Sequence, residues 1–124
     1  MGHRYLQIDL ATARPEALVA RLLQRALEKA REALARSDGA ARVRALAQSI
    51  DILAELRRAL DLQAGGELAA NLDRLYDFAA DRLISAGATR EQGALAEAIC
   101  ALEPIVEAFS AIAVAQPAAS GGAA

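Results

Sequence analysis

The sequence predicts an all-α fold: an antiparallel up-down-up-down four-helix bundle with a flexible N-terminal arm and a disordered C-terminal tail. Three observations lead there. Apolar residues recur at helical spacing in four stretches of roughly 20 residues, each about 30 Å long at ~1.5 Å per residue. The connections between these stretches are short, which favours antiparallel neighbours. The 124 residues are 55% hydrophobic but only 3% aromatic, and alanine supplies much of the apolar content, as suits helices packed closely around a single core. The expected division is an arm over residues 1–14, a bundle over 15–115 and a tail over 116–124, where Gln, Pro, Ser and Gly replace the apolar repeat.

The first helix starts at Thr12-Ala-Arg-Pro-Glu16. Pro15 has the φ of a first helical position, Glu16 suits the positive helix end, and Arg14 is kept out of the α region by the proline after it. The helix should run to about Arg36, with Val19, Leu23, Ala26, Ala30 and Leu34 on its core face. Ser37-Asp38-Gly39 then breaks the pattern, with Gly39 at positive φ. The second helix should run from about Ala40 to Leu62 and carries two apolar stripes. Val43, Leu46, Ile50, Leu53 and Leu60 form one; Ile52, Leu56 and Ala59 form another, rotated by roughly 100°. Two interpretations of the second stripe stay open: a wide core face touching two neighbours, or a groove for a partner helix.

Gly65 and Gly66 take positive φ at low cost, so the pair is expected to end the second helix and turn the chain back, with Glu67 in the first turn of the third. From Glu67 to about Ala86 the main stripe is Leu68, Leu72, Leu75, Ala79 and Leu83. Tyr76 and Ala80 widen one flank, and Phe78 lies on the other with Asn71. Gly87 is the expected stop and Thr89 a candidate N-cap for the fourth helix, whose face is Leu95, Ile99, Leu102, Val106, Phe109 and Ala113. Pro104 inside it predicts a kink or a local break.

Catalytic and metal chemistry find little support. His3 is the only histidine and lies in the arm, which argues against general-base or phosphotransfer roles. Cys100 beside Ile99 is expected to be a small buried hydrophobe. The pairs Asp73/Asp77 and Asp77/Asp81 lie one turn apart but lack a Glu-x-x-His partner, and Arg74 and Arg82 stand close enough to make them a solvated charged face. Arg42, Arg44, Arg57 and Arg58 are interspersed with Asp51, Glu55 and Asp61 and form ordinary surface. No catalytic residue, cofactor or metal is expected. The formal net charge of −2 argues against nucleic acid, and the lack of a spanning apolar run argues against membrane insertion. The first residues lack the apolar core of a signal peptide, so a cytoplasmic protein is expected.

Ile52-Leu-Ala-Glu-Leu-Arg-Arg-Ala-Leu-Asp61, Gly65-Gly-Glu-Leu-Ala-Ala-Asn-Leu-Asp-Arg-Leu-Tyr-Asp-Phe78 and Arg82-Leu-Ile-Ser-Ala86 resemble the flagellar secretion chaperone FliS family. The family pattern there is an ELRxxLD segment, a GGE(I/L)AxNLxxLYx(Y/F) segment and an RL pair. Thr12 to Glu16 looks like the family's entry to the first helix, and Tyr5 like its N-terminal tyrosine. Leu22-Leu23-Gln24-Arg25 departs from the family's Leu-Tyr-(Asp/Glu)-Gly-like segment.

The resemblance implies a cytoplasmic, non-enzymatic export chaperone. It would bind the C-terminal helical segment of flagellin, prevent premature polymerisation and support delivery to flagellar export gate components of the type III apparatus. It also implies an arm that lies over an apolar groove until the client displaces it, a part that Tyr5, Leu6 and Ile8 are placed to play. Helix periodicity, and no family motif, selects Ile52, Leu56, Ala59, Leu68, Leu72 and Tyr76 as the client-binding groove. On that basis Leu56→Asp is expected to abolish binding and spare the fold. The expected state is a monomer or weak homodimer. A general helical adaptor or regulatory binding protein using the same grooves is the alternative.

Overall fold

The computed structural model describes residues 15–36, 39–89 and 91–115. These form four helices: α1 (Pro15–Ala35), α2 (Gly39–Arg58), α3 (Leu62–Thr89) and α4 (Gln92–Ala115). The arm with His3, Tyr5, Leu6 and Ile8, the turn residues Ser37 and Asp38, and the tail lie outside the described residues.

α1 packs on α2 and α4, and α3 packs on the same two helices, so the four close into a bundle. Alanine lets them approach closely. Ala26, Ala30 and Ala33 of α1, Ala45 of α2, Ala79 and Ala86 of α3, and Ala94 and Ala98 of α4 are all fully buried. Leu23, Leu53, Leu83, Leu95 and Leu102 fill the space between, with Tyr76 the largest fully buried side chain among the described residues. The Ser49 hydroxyl, also fully buried, donates to the Ala26 carbonyl at 2.8 Å and so ties α2 to α1 without leaving an unmet polar group.

α1 begins at Pro15 as expected, and Gly39 takes φ 87° at the next joint. The Arg42 guanidinium donates to the Ala33 and Arg36 carbonyls (2.8 and 3.2 Å), closing the C-terminal end of α1 with positive charge. Leu34 is exposed, and Ala33 takes the core position assigned to it.

The α2–α3 joint differs from expectation. α2 stops at Arg58, four residues early, in a turn tightened by Leu60 N–H donating to the Arg57 carbonyl at 3.1 Å. The Asp61 carboxylate then accepts from the Gln63 and Ala64 amides (3.1 and 3.0 Å), an N-cap that starts the next helix at Leu62 instead of Glu67. Only Gly66 of the glycine pair is left-handed, at φ 56° and ψ −134°. It kinks α3 one turn after the reversal that it was expected to make.

Three further expectations are corrected. Gly87 does not stop α3: the helix runs to Thr89, which lies within its last turn and whose hydroxyl donates back to the Ser85 carbonyl at 2.7 Å. α4 is helical through Pro104 with no break, and the proline side chain stands on the exposed side. Cys100 is exposed, because one residue past Ile99 is a rotation of roughly 100° out of the core face.

Candidate functional site: an apolar cleft at the open end of the bundle

Among the described residues the core is open at one end. Where the start of α1, the end of α2, the start of α3 and the end of α4 come together, an apolar cleft of about 650 Å³ opens. That these four ends line one cleft is the alternation of an up-down-up-down bundle. Leu56 and Tyr76 form its deep part with Ala69 and Leu72, Val19 of α1 and Phe109 of α4 contribute from the sides, and Leu60, Ala64 and Leu68 stand around the α2–α3 joint.

Of the six residues selected from the sequence, Leu56, Ala59, Leu68, Leu72 and Tyr76 lie on this one cleft. Ile52 is not on it; its half-buried side chain packs against the core one turn further along α2. The five are also not equivalent. Leu56 is 4% exposed and Tyr76 1%, so both are core residues that the cleft reaches, whereas Leu68 is 65% exposed on its rim. This overturns the expectation that Leu56→Asp would spare the fold: a carboxylate there enters the packed interior without a partner. Burial also pushes the Tyr76 phenol up to about 12.

The α3 seam accounts for the difference. Ala69, Leu72, Tyr76, Ala79, Leu83 and Ala86 face inward, one residue on from the stripe through Leu68 and Leu75, so those two leucines turn outward. Phe78 is 46% exposed on the same outer side.

Arg57 follows Leu56 in α2 and does not itself line the cleft. Its guanidinium donates through Nε and Nη2 to both carboxylate oxygens of Asp73 (2.9 and 3.4 Å) and through Nη1 to Asp77 (3.0 Å), so one α2 residue holds two successive turns of α3. The hydrogen bond from Arg57, reinforced by its charge, holds the Asp73 carboxyl below its ordinary value. Of the arginines expected beside the carboxylates of Asp73, Asp77 and Asp81, Arg82 pairs with Asp81 (3.1 Å) and also donates to Glu97 (3.2 Å), whereas Arg74 bonds Asn71 and it is Arg57 of α2 that holds Asp73 and Asp77. Among the described residues no group of three or more His, Cys, Asp or Glu is placed to hold a metal ion.

The model of the flagellar protein FliS family matches residues 1–116. The chain belongs to the FliS family. It is 36% identical over 95 residues to the flagellar secretion chaperone FliSB of Pseudomonas aeruginosa, covering 74% of this chain and 75% of that protein. It is 38% identical over 88 residues to the flagellar secretion chaperone FliS of Salmonella typhimurium, covering 70% and 65%, and 28% identical over 116 residues to that of Vibrio cholerae, covering 90% and 85%. FliS is a family of flagellar export chaperones and not of enzymes. Among the described residues no helix is long and apolar enough to cross a membrane.

In this FliS chain two of the resemblance-bearing segments supply most of the α2 and α3 lining of the cleft, while Arg82 to Ala86 lies away from it. The ELRxxLD segment supplies Leu56, Leu60 and Asp61, and the glycine-led segment supplies Gly65, Leu68, Ala69, Leu72 and Tyr76. Val19, Leu60, Ala69 and Phe109 were missed as lining residues. Val19, Leu60 and Phe109 lay on stripes assigned to core, and only the end-to-end alignment of the helices shows that these positions meet at an opening.

Proposed function

We propose that this chain is a cytoplasmic export chaperone that binds the C-terminal helical segment of flagellin, keeps it from polymerising early and passes it to flagellar export gate components. The observation that carries this is the cleft. An apolar opening at one end of a rigid bundle, with exposed Leu68 on its rim, suits an amphipathic segment that buries its apolar side chains by helix-in-groove docking and orders as it binds. Export subunits that assemble through such segments need them covered beforehand, which agrees with the secretion-chaperone names of the relatives.

The arm is proposed to compete for the same surface. It joins α1 at Pro15, and the next residue, Glu16, lines the cleft, so a segment carrying Tyr5, Leu6 and Ile8 is tethered at the mouth.

Co-expression with a tagged C-terminal flagellin fragment tests the function. The chain is expected to co-purify with that fragment in stoichiometric amount. A chain that ignores the fragment while retaining a different helical partner would be a general adaptor instead.

A further inference from the structure

The α2–α3 joint carries an imbalance. From Asp61 to Leu68 every residue is exposed, and Gly66 interrupts the helix within that stretch, so no buried side chain anchors the first turns of α3 to α2. Those turns nevertheless form a wall of the cleft through Ala64, Gly65 and Leu68. The first polar link between the two helices beyond the joint is Arg57 with Asp73 and Asp77. On α2, Arg57 adjoins Leu56 and lies three residues before Leu60; on α3, Asp73 adjoins Leu72 and Asp77 adjoins Tyr76. Each residue of the clamp therefore sits beside a residue that lines the cleft.

We propose that Arg57 is a positioning residue for client binding, clamping α3 against α2 through Asp73 and Asp77 so that the cleft is held open at a fixed width before a client arrives. The proposal rests on the chaperone reading and adds to it the side chain that preorganises the site. Three charge-assisted hydrogen bonds from one planar fork fix direction as well as distance, which a lysine ammonium at this position would not do. The side chains of Arg57 and Asp73 are 38% and 31% exposed, and ion pairs so open to solvent add little to global stability. The consequence of the clamp is thus local geometry and not the fold as a whole.

The test uses the full chain with Cys100→Ser, spin labels at Asp51→Cys on α2 and Asn71→Cys on α3, and a synthetic peptide of the C-terminal flagellin segment. Arg57→Gln is expected to broaden the interhelical distance distribution and weaken peptide binding about tenfold, with the thermal midpoint nearly unchanged. Arg57→Lys should recover the fold-neutral charge but only part of the affinity, and Arg57→Gln combined with Asp73→Asn should bind no more weakly than Arg57→Gln alone. An unchanged distance distribution overturns the clamp, as does a broadened one with full affinity. A loss of affinity that follows a fall in the thermal midpoint, restored by cooling, would make Arg57 a stability residue and also overturn it. If the unsubstituted chain fails to bind the peptide, the chaperone reading falls and takes the clamp's role with it. If that chain binds and Arg57→Gln binds equally well, the clamp alone falls.

Discussion

Tyr76 is the largest side chain that the described bundle buries completely, and it is also the deep part of the cleft, so its titration reports on both. Burial favours the neutral phenol and raises its pKa from 10.0 to about 12. The unfolded chain releases this proton near pH ~10, so the folded chain binds more protons above that value, and stability must fall as pH rises from about 10 toward 12. Below pH ~10 the two states carry the same proton and the contribution is intact. Because the sequence has only two tyrosines and no tryptophan, Tyr5→Phe leaves Tyr76 as the sole phenol. Tyrosinate absorbance in that variant should rise only near pH 12, together with loss of helical signal. A transition near 10 with the helices intact would show that the phenol is open to water.

Leu56 and Leu68 separate core from contact at the same scale. Leu56→Ala should cost about 2–5 kcal/mol of stability, and Leu56→Asp should unfold the bundle in thermal melts. Leu68→Asp should alter stability by less than about 0.5 kcal/mol. Periodicity placed both on helix faces but could not grade them, because a stripe of leucines looks more apolar than the seam of alanines beside it. Ala79 and Ala86 face inward with no exposed surface, where the helices approach closely, and that closeness is a property of four helices together.

At the scale of elements, the α2–α3 joint shows how local chemistry sets the geometry. Asp61 caps, Gly66 kinks and Gly65 permits a close approach: a Cβ on Gly65 would lie 2.5 Å from Cβ of Ala69. Gly66 has open space around it, but its φ and ψ are reserved for glycine. Gly65→Ala and Gly66→Ala should therefore each destabilise by roughly 1–3 kcal/mol, the first through overpacking and the second through backbone strain. Chemical denaturation of both variants checks this, and a Gly66→Ala variant as stable as the parent would contradict the left-handed kink.

The joint was partly legible in the sequence. The glycine pair marked a turn, yet the reversal occurs earlier, because an aspartate three residues before Ala64 is as strong a helix start as a glycine is a stop. The same competition hid the end of α3. Gly87 reads as a stop, but it is an exposed position at which the helix simply continues, and a Cβ there would meet Leu46 at an ordinary contact distance of 3.5 Å. At Pro104 the exposed face of α4 accommodates a residue whose lost hydrogen bond predicted a break.

At the scale of the whole molecule, four helices and their alternation were legible because each carries a sustained apolar repeat and the connections are short. The open end was not, since it depends on how far each helix extends past its neighbours. That end is where the N-terminal arm joins the bundle. On the proposed competition, deleting Met1 to Leu10 should tighten flagellin binding or promote self-association, measurable by titration and by sedimentation. A truncated chain that stays monomeric and binds flagellin more weakly would make the arm part of the contact.

The central claim is that the exposed rim and apolar depth of this cleft take up the C-terminal segment of flagellin. Calorimetric titration of that segment into the full chain and into Leu68→Asp tests it most directly. The account predicts one-to-one binding by the full chain and at least about a tenfold loss in the variant, with its helical signal and melting unchanged. Equal binding by the two chains, or none by the full chain, would contradict it.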